Sequence, residues 1–306
     1  MATPMNTQQF VELNKIGLRE VFFQQGEEKP REYPFILNVD SLDHVPAFDQ
    51  QLHGTGLMPE KPEGTPFPRQ SMTLGGRREW NVKPYGNAVE ITFEERRDEQ
   101  YGSFSRIPSD QARAERQREE EAAMTFLNSA FDSAVVGFVE GEALCGDHTS
   151  IITGEVQRNA PVAGQQFGPS MTGFQQAIMH FHNLKSDDGK REYKQPSLAI
   201  GSANGIDLFI FREILGSTSV PYKADNELNS IIADELSWMI SHFGDWGDAW
   251  FVRADEHDAW IMFRDEPFQD TFVEPNTMNA VSASYARFSN GEFRDWRGWW
   301  GSDTGN

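Results

Sequence analysis

With 306 residues, 12% aromatic side chains, one cysteine and a formal net charge of −20, the chain is long enough to bury a sizeable core in one large or two ordinary domains. The single Cys145 excludes an internal disulfide and suits a reducing cytoplasm. A strongly acidic chain without a Lys/Arg cluster repels phosphates, so sequence-specific nucleic-acid binding is not expected. With no secretory leader and no run of about 18 apolar residues, a soluble protein made in the cytoplasm is expected.

Phe10, Leu13, Ile16, Val21 and Phe22 have the spacing of a short amphipathic helix, but between Gln24 and Gln70 seven prolines interrupt isolated apolar residues. Ordering such a segment costs about 1–2 kcal/mol per residue in backbone entropy. Because Phe35, Ile36, Leu37, Val39, Leu42 and Phe48 are too apolar for plain disorder, an extended arm that docks elsewhere is expected. Ser71 to Phe93 then reads as two strand-like runs around Gly75-Gly76 and Pro84-Tyr85-Gly86, a long charged hairpin. A hairpin of that kind is marginal alone. Its stabilising contacts are expected outside itself, with Arg77, Arg78, Glu79 and Lys83 offering exposed charges of both signs.

Pro108 to Phe131 is the clearest helix: Ser109 or Asp110 can cap it, and Asp110 with Arg113 or Arg116 with Glu120 pair at helical spacing. The apolar stripe Ala123, Phe126, Leu127, Ala130, Phe131 fills only its second half, so the first half is expected to run over a surface. Loops and short strands follow to about Gln165. Phe174, Ala177, Ile178 and Phe181 mark a helix ending near Asp187-Asp188-Gly189; Ser197 to Ile200 reads as a strand and Asp207 to Leu215 as a short helix. Val220 to Asn229 reads as a loop, and Ile231 to Phe243 fits helix or strand equally. Ala249–Val252 and Ala259–Phe263 are expected to pair as strands.

Val281, Ala283 and Tyr285 alternate with small residues as a half-buried strand, and Ser289-Asn290-Gly291 turns the chain. Seven of the eight tryptophans lie after position 237, so the C-terminal end is expected to be tied down by aromatic burial. Charge is uneven: residues 137–270 hold 9 Lys plus Arg against 21 Asp plus Glu, and 9 − 21 = −12.

Motifs for chemistry are scarce. There is no Gly-x-Gly-x-x-Gly, phosphate-binding loop, Gly-x-Ser-x-Gly, His-Glu-x-x-His or cysteine pair. His180 and His182 stand two apart on a helix and point away from each other, so they read as ordinary helix residues. Cys145 with His148 lacks an oxyanion device. Asp225, Glu227, Asp234 and Glu235 form no dense calcium loop, and the pairs Asp187/Asp188 and Asp255/Glu256 read as solvated turns. No catalytic, metal-binding or cofactor-binding residue is expected.

The order of parts resembles the major capsid (major head) proteins of tailed bacteriophages with the Hong Kong 97 type fold. The landmarks are Phe23 to Lys29, Glu63 to Pro68, Ile91 to Gly102, Leu144 to His148, Val220 to Asn229 and Arg287 to Ser302. The resemblance implies an α+β chain with an N-terminal arm over 1–65 and an extended hairpin, the E-loop, over 66–90. A peripheral domain with a long spine helix would follow over 91–136, a mainly axial domain over 137–270 and returning strands over 271–306. It further implies a structural, non-enzymatic virion protein that self-assembles into hexamers and pentamers of an icosahedral head. A separate scaffolding protein and portal are expected, with a decoration protein as a further candidate partner. Double-stranded DNA would be held by enclosure, and assembly would take place in the host cytoplasm without a membrane. Arg77, Arg78, Glu79, Trp80 and Lys83 become candidates for contacts between subunits. Lys83 could cross-link covalently as in some relatives, but no matching asparagine or glutamate stands out. The alternatives are an encapsulin-like nanocompartment shell and, from another class, an enzyme or carbohydrate-binding protein with a tryptophan platform.

Overall fold

The computed structural model describes residues 22–23, 30–53, 58–69, 72–98, 106–132, 142–162, 167–203, 206–217, 229, 231 and 236–303. The helix expected up to Phe22 lies almost wholly outside these residues, as do the loop from Val220 and the four acidic residues between Asp225 and Glu235. The chain divides into two compact units. No helix among the described residues is long and apolar enough to cross a membrane.

The first unit draws on Met1–Val45, Asn81–Ala123 and Ile261–Asn290. Its sheet runs in the order β1 (Asn38–Ser41), β10 (Asp258–Val273), β11 (Ala280–Ser289), β4 (Val82–Ile91). β10 and β11 form a long antiparallel hairpin, with Phe272 opposite Val281 and Phe268 opposite Tyr285. β4 adds along β11 from Ile91 opposite Ala280 to Val82 opposite Ser289. Pro84 is tolerated because β4 is a sheet edge. The long helix, α3 (Ile107–Asn128), follows a short α2 (Phe93–Asp98). It packs on the sheet through polar groups: the Gln111 amide donates to the Ser282 carbonyl at 2.9 Å, and the Ser282 hydroxyl donates back to Oε1 at 2.7 Å.

The arm does dock, and it docks on its own chain. Tyr33–Ile36 form a one-turn helix, α1, and β1 joins the sheet edge, with Leu42 N–H donating to the Phe263 carbonyl at 2.8 Å. This changes the reading of α3. Gln111 and Ala112 in its first half and Glu119 and Glu120 at its middle are buried as well; the glutamates are buried because the arm's backbone and Arg31 supply partners.

The second unit comprises Pro46–Trp80, Met124–Trp260 and Gly291–Asn306. A four-stranded sheet in the order β13 (Trp299–Ser302), β9 (Trp250–Ala254), β7 (Pro196–Ser202), β8 (Ser237–Ser241) carries α4 (Met171–Asn183) and α5 (Ile206–Leu215). Phe174 and Phe181 from α4, Phe211 from α5, Ala199, Val252, Trp250 and Trp300 make the core. The chain end is held as expected: all four β13 residues are buried, and the rings of Trp250 and Trp300 meet at 5.0 Å. Gly301 permits this, since a Cβ there would stand 2.7 Å from Cys145 Sγ and from Phe251 Cδ1. Smaller pieces are the two-stranded β5 (Asp147–Thr149) with β6 (Val156–Arg158), and β12 (Glu292–Asp295), which pairs with Asp258–Trp260.

Two pairings differ from the sequence reading. The two runs around Gly75 and Pro84 do not pair with each other: β3 (Thr73–Glu79) pairs with β2 (Phe48–His53), while β4 pairs with β11. Alternation locates strands but carries no information about their partners. Ala249–Val252 and Ala259–Phe263 likewise go to different sheets, and the ambiguous run resolves as the strand β8. α4 ends at Asn183, and the Asp187-Asp188-Gly189 turn follows, with Gly189 at φ +76°.

Candidate functional site

The sequence-predicted contact residues lie on or beside the β2–β3 hairpin. Trp80 N–H donates to the Ala47 carbonyl at 2.9 Å, closing its base. Arg78 pairs with Glu292 at 3.0 Å and Arg294 with Asp49 at 2.5 Å, so two ion pairs tie the hairpin to β12. Trp80 is buried, with the Arg294 guanidinium 4.7 Å from its ring and 5.4 Å from that of Trp260. Arg78 and Trp80 thus serve the subunit's own packing. Arg77, Glu79 and Lys83 are exposed, Arg77 lying 3.9 Å over the Phe48 ring. Phe48, Met72 and Leu74 also remain more than half exposed, at 51%, 55% and 63%. Lys83 belongs to β4, in the other unit, and not to the hairpin.

In the first unit the arm is clamped to α3 by residues on successive helical positions. Arg116 donates to the Pro30 carbonyl at 2.6 Å, and Arg31 meets Glu119 at 3.0 Å. Both oxygens of Glu120 accept from the arm, from Glu32 N–H at 2.7 Å and Tyr33 N–H at 3.0 Å. The carboxylate thereby caps the first turn of α1 from a distance. The expected Arg116–Glu120 pair is replaced by these bonds, whereas Asp110 and Arg113 do pair, at 3.7 Å. Burial, reinforced by the neighbouring Glu119, pushes Glu115 up to about 8. Nothing in the pattern of Glu119-Glu120-Glu121 distinguishes the buried carboxylates from a solvated face. The arm's Arg31 is the one sequence feature that could have hinted at a partner.

The second unit holds the polar cluster that looks most like an active site. His148 stacks flat on Trp296, with ring centres 4.1 Å apart. Its Nδ1 faces Glu142 at 3.1 Å and its Nε2 faces Asn159 Oδ1 at 3.2 Å. The Asn159 amide donates to the carbonyls of Leu144 and Trp299, which fixes Oδ1 as acceptor and places a hydrogen on His148 Nε2. Burial pulls the His148 pKa below its ordinary value, against the opposing pull of Glu142 and Asn159. Beside it, Arg297 bonds Asp187 at 2.8 Å, Asp295 at 3.1 Å and the Lys185 carbonyl at 3.1 Å.

The space among these groups is about 30 Å³, on the order of the volume of one water molecule. Such a cluster orders the loops it joins. Cys145 is fully buried and its thiol is pushed far up by burial, the reverse of an activated nucleophile. His180 is half-buried in α4, while the ring of His182 lies 4.9 Å from Tyr193. Among the described residues, no three His, Cys, Asp or Glu side chains come together as metal ligands. Sequence reasoning missed Asn159, which sits in a turn-rich stretch without a motif.

No protein-family model and no curated protein matches the sequence. Solved structures do match the fold. A protein of the cyanophage P-SCSP1u capsid is 9% identical with a TM-score of 0.59, over 89% of this chain and 88% of that one. A virus-like particle from Pyrococcus furiosus is 8% identical with a TM-score of 0.53, over 94% and 98%. The mature capsid of bacteriophage PhiM1 gives 9% and 0.51, over 89% and 86%. The protein therefore has an α+β fold shared with solved capsid and virus-like-particle structures. More particularly it is the Hong Kong 97 type fold of phage capsid proteins, as the order of sequence landmarks implies.

Proposed function

We propose that this chain is the major capsid subunit of a tailed bacteriophage, a structural virion protein that assembles with copies of itself into the hexamers and pentamers of an icosahedral head. The observation that carries this is the end-to-end match to shell subunits, about nine-tenths of both chains at once. A hairpin with exposed Phe48, Met72 and Leu74 fits the same reading, since apolar side chains on a marginal element call for a partner.

In this reading the E-loop is the β2–β3 hairpin, residues 48–79, and α3 is the spine helix of the peripheral domain formed by the first unit. The α4–α5 sheet of the second unit is the axial domain. Arg77, Glu79 and Lys83 are the contact candidates left exposed. The role is structural and not enzymatic, the head encloses double-stranded DNA without reading it, and a separate scaffold and portal assist assembly in the host cytoplasm. Negative-stain electron microscopy with light scattering on the purified chain, with and without a co-expressed scaffold, tests this. Closed shells or capsomers are expected; a compact monomer under every condition would refute it. The match to the Pyrococcus furiosus particle keeps an encapsulin-like shell as the second reading. Enclosed protein cargo in place of DNA would select it.

A further inference from the structure

Both ring nitrogens of His148 face oxygens. Nδ1 lies 3.1 Å from Glu142 Oε2 and Nε2 lies 3.2 Å from Asn159 Oδ1, and the residue is only 2% exposed. Neither oxygen has a hydrogen to give. Asn159 uses its amide on the Leu144 and Trp299 carbonyls, and its Oδ1 already accepts from Gly146 N–H. Glu142 is a carboxylate whose other oxygen, Oε1, accepts from Thr149 N–H at 3.1 Å. A neutral imidazole has one N–H and one lone pair. With the hydrogen on Nε2, the lone pair of Nδ1 would point at a carboxylate, so the Glu142 contact closes only around one further proton. That proton belongs on the ring, because the imidazole is the stronger base, with an ordinary pKa of about 6.5 against about 4.3.

The other charges around the ring are matched among themselves. Asp187 and Asp295 both bond Arg297, at 2.8 and 3.1 Å, and Arg294 pairs with Asp49 at 2.5 Å. His180, from α4, is kept neutral by burial, which pulls it down to about 4. Trp296 presents its π face to the ring at 4.1 Å, a surface that suits a cation. Glu142 is thus the counter-charge available to a protonated His148. Burial disfavours the charged ring and Glu142 favours it, and these two effects are separable, since only burial remains once the Glu142 side chain swings out. Proton binding and the Glu142 contact therefore support each other, on the acid side of the ordinary histidine value.

We propose that residues 142–149 form a proton-gated strap: Glu142 closes over a protonated His148 and takes the Thr149 N–H, and it releases both when His148 is neutral. Compared with the open strap, the closed one holds the histidine's proton more tightly, so closure is favoured as pH falls and lost as pH rises. The strap bears on the structure around it. Cys145 N–H donates to the Ala130 carbonyl, just beyond α3, at 2.8 Å, and Asn159 joins the same loop to β13. Acidification therefore tightens the loop that receives the end of the long helix.

The test is hydrogen exchange of the full chain between about pH 4.5 and pH 8, corrected for intrinsic rates and read on the peptide that contains Thr149. Exchange there is expected to slow about three- to tenfold as pH falls, the ratio that one hydrogen bond supplies. In E142Q the side-chain amide can donate to the lone pair of the neutral ring, so protection is expected to persist at pH 8 and the acid step to vanish. His180 and His257 act with the opposite sign, since burial lowers both and the folded state loses stability on acidification. Direction therefore separates the strap from a general acid effect. Exchange at Thr149 that stays flat or quickens on acidification of the wild type overturns the proposal, and so does an acid step that survives in E142Q.

Discussion

Asn159 is a buried side chain that holds two distant segments together, the loop at 144–146 and the start of β13. Its amide donates to Leu144 and Trp299 at 2.8 and 3.0 Å, and its Oδ1 accepts from Gly146 N–H at 2.8 Å. An N159A substitution leaves those backbone groups buried and unmet, each loss being about 1 kcal/mol or more. A destabilisation of about 3 kcal/mol is expected, measured by urea unfolding; a loss below about 0.5 kcal/mol would mean that water replaces the amide fully. Two half-buried histidines carry a pH dependence. Burial pulls His180 down to about 4, helped by His148, and burial pulls His257 down to about 3, helped by Arg253 and Lys194. For a histidine with a lowered folded pKa, the unfolded chain binds more protons between the folded value and about 6.5, so stability falls as pH falls. The second unit is therefore expected to loosen between about pH 6.5 and pH 4, seen as faster hydrogen exchange in α4 and in residues 250–260 after correction for intrinsic rates.

At the scale of elements, the clamp between the arm and α3 has the opposite sign. Glu115 keeps its proton up to about 8 because burial and Glu119 disfavour its charge. Between the ordinary carboxylate value and about 8 the folded state binds the extra proton, so this contribution is largest at low pH and is lost as pH rises. Exchange at residues 30–37 and 107–123 is expected to rise through about pH 8, and E115Q should remove that alkaline step; an unchanged step in E115Q would locate it elsewhere. The elements themselves were largely legible: α3, α4, α5, β7 and β11 follow from periodicity, since each buries one face. The β2–β3 hairpin was not, because strand partners are set by register and chain reversal over dozens of residues, here Phe48 opposite Glu79. The buried glutamates of α3 were hidden for a related reason. Glu119 and Glu120 are buried only because Arg31 and two arm N–H groups reach them, and a helical wheel carries no record of residues 88 positions away.

For the whole molecule, the hairpin's base gives a clean way to separate folding from assembly. Ala47 and Trp80 are hydrogen-bonded neighbours at 2.9 Å, so residues 48–79 can be replaced by a two-glycine link without stretching the chain. Loss of the hairpin removes β2 and β3 and none of the core residues of the α4–α5 sheet. The shortened chain is expected to stay folded by circular dichroism and to form no shells by electron microscopy; shells from it would remove the hairpin from the assembly contacts. By itself the sequence determined the class of the molecule: a long acidic chain, poor in motifs, with an arm and charged strands and an aromatic C-terminal end that had to be buried. These follow from composition and local period, which need no partner. Only the tertiary structure decided that the arm docks on its own helix and that Arg78 and Trp80 meet Glu292 and Arg294 of the same chain. Each of these is a meeting of residues far apart in sequence, and folding alone sets such meetings.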